Sequence, residues 1–326
     1  MVRETTLEPY YDTIDNIYNI LYNLSYDKCY IIGGDKMQTL IKQIRSQLNM
    51  SQAEFAYCLD VTFATVNRWE NGRSIPNKIA QSKLYDLCKE YTLPLYHMII
   101  HKIHSISQNI VLEKGRTLLY HGSTSGIHGS ITPQSRKQCD FGRGFYMGTD
   151  PGQALTLICD YEKSRFYIVS IDVSQLYTLN VSPNLDWAMI VAYHRGRMEK
   201  IKGTSFYNTY RDISQNKDLM IGSIANDRMF YVIDNFFIGN ITDTALIHSL
   251  SVLELGKQYV AITQKGCDAV RIERELFISH LERLAIKEIA EANRARGVSL
   301  ANRICKDYRR EGMFFDELLD EALKGE

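Results

Sequence analysis

Residues 48–76 read LNMSQAEFAYCLDVTFATVNRWENGRSIP, and this stretch decides the fold of the first part of the chain. Ser51-Gln52-Ala53-Glu54 has the form of a capping box, in which the serine caps a helix and the glutamate reaches back to the serine amide. An Asp-Val turn follows, and Thr62 is a second capping residue before the helical stretch Phe63–Glu70. Asn71-Gly72 ends that helix, because glycine tolerates the left-handed conformation common at helix C-termini. The stretch predicts two short helices joined by a tight turn.

Further helices are predicted on either side of this pair. Before it, apolar residues from Met37 to Leu48 recur with a helical period. After it, Pro76 is predicted to open a helix that continues to about Glu90, since proline suits the first helical turn. Ala56 is small where two crossing helices must approach closely. The predicted core of this helical unit consists of Phe55, Leu59, Val61, Val66 and Trp69.

Residues 48–76 closely resemble the XRE/Cro-like repressor family of helix-turn-helix proteins. In that family the second helix of the pair enters the major groove of DNA. The resemblance implies that Thr62, Ala64, Thr65 and Arg68 face the bases, and that Gln52 and Asn71 lie near the DNA backbone. From Lys36 to Glu90 there are eight basic and five acidic residues, a local excess that suits phosphate contacts. Such domains can also dock proteins or form dimers, so a protein-docking role is the alternative to DNA binding.

The whole chain has 326 residues, with 38 basic and 38 acidic side chains, so no overall basic charge indicates nucleic-acid binding. No run of about 18 apolar residues appears, and the N-terminus lacks the pattern of a secretory signal, so neither a membrane span nor export is predicted. The seven cysteines form no CxxC pair. They are predicted to be reduced thiols of a cytoplasmic protein, with no metal site and no disulfide framework.

Beyond residue 115 the sequence changes to short strands rich in β-branched and aromatic residues, with helices between them. The predicted strands are 118–120, 166–174, 218–224, 258–263 and 268–272, and the predicted helices are 185–197 and 242–253. No GxGxxG motif follows a strand, which argues against a Rossmann unit. The predicted fold class is α+β, with an all-α helix-turn-helix domain followed by a mixed β core with helices.

Two motifs in this second part indicate a binding site: Tyr120-His121-Gly122-Ser123 and Gly142-Arg143-Gly144-Phe145-Tyr146. In the first of them, His121-Gly122-Ser123 is predicted to leave the first strand. A glycine backbone can grip a carboxamide because no side chain blocks the approach. A histidine can hydrogen-bond a ribose hydroxyl, and an aromatic ring can stack on a flat nicotinamide. Taken singly, each residue could be structural. Their order and context together favour a site for a nicotinamide nucleotide.

These motifs, with Lys257-Gln258-Tyr259-Val260, resemble the diphtheria-toxin and poly(ADP-ribose)-polymerase branch of ADP-ribosyltransferases, called His-Tyr-Glu. Residues 118–272 also resemble a bacterial ADP-ribosyltransferase-like family catalogued as a domain of unknown function. The resemblance implies NAD as the substrate. The residues that it assigns are His121 for the ribose, Gly122 for the nicotinamide, Tyr146 for stacking and Gln258 at the glutamate position, with His121, Tyr146 and Gln258 as the catalytic set. Ser123 is a further residue predicted to bind NAD. Residues 221–228 match another segment of that family, and Asp227 at its polar end is a further candidate for NAD binding.

Gln258 departs from the family pattern, because an amide can hold a ribose hydroxyl but cannot take a proton. We therefore expect transfer of a single ADP-ribose to a protein or nucleic-acid acceptor rather than polymer synthesis. Asp227 or Glu254 could supply a carboxylate. The alternative is a transcription regulator whose degenerate domain only senses NAD or ADP-ribose. A DNA reader joined to such a domain resembles toxin–antitoxin and phage-defence components, which implies an antitoxin or regulatory partner.

The predicted organisation has five parts: an amphipathic helix within 1–34, the helix-turn-helix at 35–92, a linker at 93–115, the ADP-ribosyltransferase-like domain at 116–272 and a charged helical tail at 273–326. Gly297 is predicted to break the helix of the tail. This tail is interpreted as a solvated cap on the domain, with partner binding as the alternative. A homodimer is expected, because repressor-like domains act on paired half-sites.

Overall fold

The computed structural model describes residues 37–224, 227–252, 256–308 and 311–325, without the side chains of 227–230, 251, 252, 301 and 305. The amphipathic helix predicted within 1–34 lies outside the described residues. The fold class is α+β, as predicted: a helical region is followed by a mixed α/β domain. Among the described residues, no helix combines the length and apolarity needed to cross a membrane.

The first four helices form the predicted helix-turn-helix unit. They are α1 (Met37–Gln47), α2 (Gln52–Cys58), α3 (Phe63–Glu70) and α4 (Lys78–Glu90). The capping box exists: the Glu54 amide donates to Ser51 Oγ at 3.2 Å, and the Ser51 amide donates to Glu54 Oε2 at 2.7 Å. Thr62 Oγ1 accepts from the Thr65 amide at 3.2 Å, and Gly72 has the predicted left-handed backbone with φ of 67°.

Two details of this unit differ from the prediction. α4 begins at Lys78, because Asn77 caps it and Pro76 precedes the cap instead of opening the helix. Val61 is only half-buried, whereas the other predicted core residues are fully buried. The buried set is Phe55, Leu59, Val66 and Trp69.

Within residues 93–115, predicted as a linker, a 14-residue helix forms, α5 (Leu95–Gln108). No side chain caps its first turn, but Met98, Ile99 and Ile103 are buried. They join one hydrophobic cluster that runs from the helix-turn-helix into the mixed domain. Burial of these side chains, rather than a local capping signal, therefore stabilises the helix.

The mixed domain is built on a sheet of seven strands among the described residues, in the order β4-β5-β6-β2-β1-β3-β7. The strands are β1 (Arg116–Ser123), β2 (Phe145–Gly148), β3 (Arg165–Asp172), β4 (Thr178–Asn180), β5 (Leu219–Ser223), β6 (Lys257–Ala261) and β7 (Val270–Phe277). All neighbours are antiparallel except β4 and β5. The prediction that the His-Gly-Ser motif leaves the first strand was wrong, because residues 121–123 pair with β3 as part of β1.

The helices of the mixed domain are α6 (Pro151–Thr156), α7 (Leu185–His194), α8 (Ser205–Asp212), α9 (Asp227–Phe237), α10 (Asp243–Val252) and α11 (Gln264–Asp268), followed by α12 (His280–Asp307) and α13 (Phe315–Lys324). The predicted break at Gly297 was wrong, because α12 continues through it. An interior glycine costs a helix about 1 kcal/mol relative to alanine. Leu300 and Ile304 beyond it pack into the core, which offsets that cost. Leu281 and Ile286 at the other end join the cluster shared with the helix-turn-helix.

Candidate functional site

The predicted DNA-reading face lies along α3. Thr62, Ala64 and Arg68 are exposed, and Thr65 is half-exposed. Thr62 and Thr65 share a hydroxyl hydrogen bond of 2.9 Å, and Arg68 Nη2 donates to Thr65 Oγ1 at 3.3 Å. These contacts hold the arginine against the start of the helix, the part that faces bases in this motif.

The two residues predicted near the DNA backbone bind mainly within the protein. Gln52 Nε2 donates to Glu70 Oε2 at 2.5 Å, and Asn71 Nδ2 donates to the Asn67 carbonyl at 2.9 Å. Glu70 is 2% exposed and also accepts from Arg45 Nε at 2.5 Å. Glu70 thus ties α1 and α2 to the end of α3. This role of Glu70 could not be predicted from local sequence, since Arg45 is 25 residues away in the chain.

The three predicted catalytic residues lie on three adjacent central strands. His121 is on β1, Tyr146 on β2 and Gln258 on β6. Gly148 of β2 stands opposite both Tyr120 and Gln258. The sheet therefore brings the two sequence motifs and the glutamine together, although Gln258 follows Tyr146 by more than one hundred residues.

The side chains of these residues leave the sheet on different faces. Residues directly opposite on paired strands share a face, and neighbours along a strand alternate. Tyr120, Tyr146 and Gln258 therefore share one face, which we call the glutamine face. The His121 side chain points to the other face, where its ring stacks on that of Phe145 with the two ring centroids 4.2 Å apart.

His121 is fixed by the backbone of β2. Its Nδ1 lies 2.6 Å from the Tyr146 carbonyl oxygen. A carbonyl only accepts, so Nδ1 carries the proton and donates, and Nε2 is left as an acceptor. Burial lowers the pKa of His121 to about 4, more than the hydrogen bond to Tyr146 raises it. The imidazole is thus neutral at physiological pH and able to accept a hydroxyl proton in a hydrogen bond.

Tyr146 locks the loop that precedes its own strand. Its hydroxyl accepts from the Phe141 amide at 3.0 Å and donates to the Gly142 carbonyl at 2.7 Å. Burial raises the pKa of this hydroxyl well above its usual value. Asp140 of the same loop pairs with Arg195 at 2.7 Å. Only the ring of Tyr146 thus remains for contact with a ligand, and its hydroxyl has a structural role.

Gln258 is 7% exposed and uses only one end of its carboxamide. Nε2 donates to the Ser223 carbonyl at 2.9 Å. Within the described part of the chain, no hydrogen bond reaches Oε1. The residues opposite it on either side, Gly148 and Gly222, carry no side chain. The Gln258 Oε1 atom is therefore an open hydrogen-bond acceptor on the glutamine face.

Gly122 and Ser123 have tight local surroundings. A Cβ on Gly122 would lie 2.4 Å from the carbonyl oxygen of Ala154 in α6, so only glycine fits there. Ser123 Oγ donates to the Gly126 carbonyl at 3.0 Å. Asp227 is the first residue of α9, but its side chain lies outside the described residues, as does Glu254. Among the described residues, no group of three or more His, Cys, Asp and Glu side chains is arranged for a metal ion.

Comparison with known proteins supports the two-part organisation. Residues 41–91 are similar to a family described as Helix-turn-helix, and residues 117–272 to one described as Protein of unknown function (DUF3990). No curated protein and no solved structure gave a significant match to the chain. The helical unit is thus a DNA-binding helix-turn-helix, and DNA is a partner of this protein.

Proposed function

We propose that the mixed domain binds NAD and transfers a single ADP-ribose to a protein or nucleic-acid acceptor in the cytoplasm, within a toxin–antitoxin or phage-defence system. The observation that carries this proposal is the open Oε1 of Gln258, which no group of the described residues binds and which lies between two glycines on the central strands. A carboxamide oxygen held by the hydrogen bond of its own amide nitrogen can accept from a ligand that supplies a hydroxyl or amide donor. NAD offers both.

The residues fit a nucleotide in complementary ways. Gln258 Oε1 accepts from a hydroxyl of the nicotinamide ribose, and the ring of Tyr146 on the same face offers an aromatic surface for the nicotinamide. Pairing between β1 and β2 is restricted to Tyr120 and Gly148. His121 lies on the other face of the sheet, next to the point where β1 and β2 stop pairing. There its neutral imidazole presents Nε2 as an acceptor for a second ribose hydroxyl. None of these groups takes a proton from the acceptor, which is consistent with single transfer rather than polymer synthesis.

A transfer assay tests the proposal. Purified protein is incubated with NAD labelled in the adenylate, together with bacterial lysate, with and without nuclease. We expect label in protein or nucleic acid, and about 100-fold less with His121→Ala, because loss of a hydrogen bond to the substrate and of the partner of the Tyr146 carbonyl costs about 3 kcal/mol. His128→Ala, which removes an exposed histidine of the loop after β1, should transfer at the wild-type rate. Equal activity of His121→Ala and wild type would contradict the site.

A second candidate function is a transcription regulator that senses NAD or ADP-ribose without transfer. The shared hydrophobic cluster favours it: Trp69 of α3 and Ala154 of α6 belong to one core, and Ala154 contacts Gly122. A nucleotide bound at Gly122 would thus lie next to a hydrophobic core that extends into the helix-turn-helix. This candidate predicts that NAD changes DNA affinity while no nicotinamide is released. DNA affinity that is the same with and without NAD would exclude it.

Arg68→Ala tests the DNA-reading face. DNA fragments selected by the wild-type protein from a random pool should bind the variant about 10- to 100-fold more weakly, because a base-contacting arginine contributes about 1–3 kcal/mol. Arg136→Ala, an exposed arginine of the mixed domain, is the matched control and should bind normally. Unchanged affinity of Arg68→Ala at several salt concentrations would favour the protein-docking alternative.

A further inference from the structure

Asp150 is a carboxylate that follows β2, two positions beyond Gly148, the residue opposite Gln258. Thr149 and Lys257 extend the pairing of β2 and β6 one residue beyond Gly148, since the Thr149 amide donates to the Lys257 carbonyl at 2.9 Å. Asp150 then has an extended backbone, with φ −103° and ψ 116°. Alternation along an extended chain puts its side chain on the face of Gly148, which is the glutamine face.

Two neighbouring contacts agree with that placement. A Cβ on Gly256, two residues before Gln258, would lie 3.5 Å from the Asp150 Cβ. Burial, and to a smaller extent the Asp150 charge, raises the pKa of Tyr96 and of Tyr120, the residue opposite Gly148. The carboxylate therefore lies close to the row of residues that includes the open amide oxygen.

The carboxylate has one committed oxygen and one that is open to another partner. Asp150 Oδ1 accepts from the Gly152 amide at 2.8 Å and so caps α6. Within the described part of the chain, no hydrogen bond or ion pair reaches Oδ2, and the residue is exposed. Capping thus fixes the orientation of the group and leaves a basic oxygen facing solvent near Gln258.

We propose that Asp150 is the general base of the transfer reaction, supplying the proton acceptor that Gln258 cannot be. The inference rests on the proposed transferase function. In the step, the bond between ribose C1 and the nicotinamide nitrogen breaks, and its electron pair stays on the nicotinamide, which leaves neutral. A lone pair of the acceptor atom forms the new bond to C1. The proton of that acceptor atom passes to Asp150 Oδ2 and then to solvent.

Asp150→Asn separates this chemistry from capping. Asparagine caps a helix about as well as aspartate, so the variant keeps α6 in place and loses only the charge. We expect transfer about 100-fold slower, a size typical of lost general-base catalysis, with the affinity for NAD measured by calorimetry unchanged. The control is Asp160→Asn, an exposed aspartate beyond the end of α6, which should transfer at the wild-type rate. Adding Gln258→Glu to Asp150→Asn should restore most of the rate, since it returns a carboxylate to the same face.

The outcomes distinguish this inference from the proposed function. An active wild type with a fully active Asp150→Asn overturns the general base and leaves the transferase intact. Asp150→Ala removes both the charge and the cap of α6. If Asp150→Asn loses as much NAD affinity or thermal stability as Asp150→Ala, the general base is also overturned, because such a loss shows that the residue acts as a helix cap. A wild type without transfer to any acceptor overturns both proposals. Slow transfer at unchanged NAD affinity, restored by Gln258→Glu, supports the general base.

Discussion

Glu70→Ala is expected to lower the free energy of unfolding by about 2–3 kcal/mol, because it removes the buried carboxylate that accepts hydrogen bonds from the charged Arg45 and from Gln52. Arg45 would lose the carboxylate that it contacts through both Nε at 2.5 Å and Nη2 at 3.2 Å. Gln52 would lose the acceptor of its amide. Since proteins are stable by only about 5–15 kcal/mol, this loss is a large fraction of the total and should clearly lower the urea concentration at the unfolding midpoint.

Urea denaturation measures this effect, with tryptophan fluorescence as the signal. The chain has two tryptophans: Trp69 in the helix-turn-helix core and Trp187 in the mixed domain. With Trp187 replaced by phenylalanine in both proteins, the remaining signal reports the helix-turn-helix. Glu54→Ala is the control, since it removes only the exposed contact between Glu54 and the Ser51 amide and should lower the stability much less. A Glu70→Ala variant no less stable than Glu54→Ala would show that the ion pair contributes nothing.

The helix-turn-helix could be predicted in detail because its signals are local. Ser51 and Glu54 are three residues apart, and Thr62 and Gly72 act on their own helix ends. α5 gives no such signal: proline precedes it, no side chain caps it, and its stability comes from residues far away in sequence. The prediction of a helix break at Gly297 was wrong for the opposite reason: packing along α12 outweighs the low helix propensity of glycine.

The candidate site could be predicted only as a set of residues. Gln258 fell in a predicted strand, His121 just beyond one and Tyr146 in none, and the face of each side chain depends on which residues pair. A shift of pairing by one residue would reverse that face. Asp150 was missed because its proximity to Gln258 depends on the pairing of Thr149 with Lys257, residues more than one hundred positions apart.

Two half-buried imidazoles should make the protein unstable in mild acid. Burial lowers the pKa of both His121 and His194 to about 4. Nε2 of His194 is buried and has no hydrogen-bond partner among the described residues. Histidine in an unfolded chain titrates near 6.5, so between about pH 6.5 and pH 4 the unfolded state binds more protons than the folded one. The free energy of unfolding therefore falls as the pH drops through this window. The full stability of the protein is present only above about pH 6.5, where both imidazoles are neutral in the folded and the unfolded state.

From about pH 7.5 to pH 5, each imidazole should remove about 2 kcal/mol of stability, or about 4 kcal/mol together. Urea unfolding at both pH values measures the difference. His121→Gln and His194→Gln keep a polar side chain but cannot titrate in this range, so each should reduce the loss by about half and the double variant should abolish most of it. A double variant as acid-sensitive as the wild type would place the effect on other groups, such as Asp218, whose pKa is lowered mainly by Lys265 and whose contribution is lost at lower pH. Because His121 donates to the backbone of β2, protonation would charge an imidazole at the centre of the candidate site. NAD binding by the folded protein should therefore weaken only as the pH approaches 4, at the lower end of the window in which stability is lost.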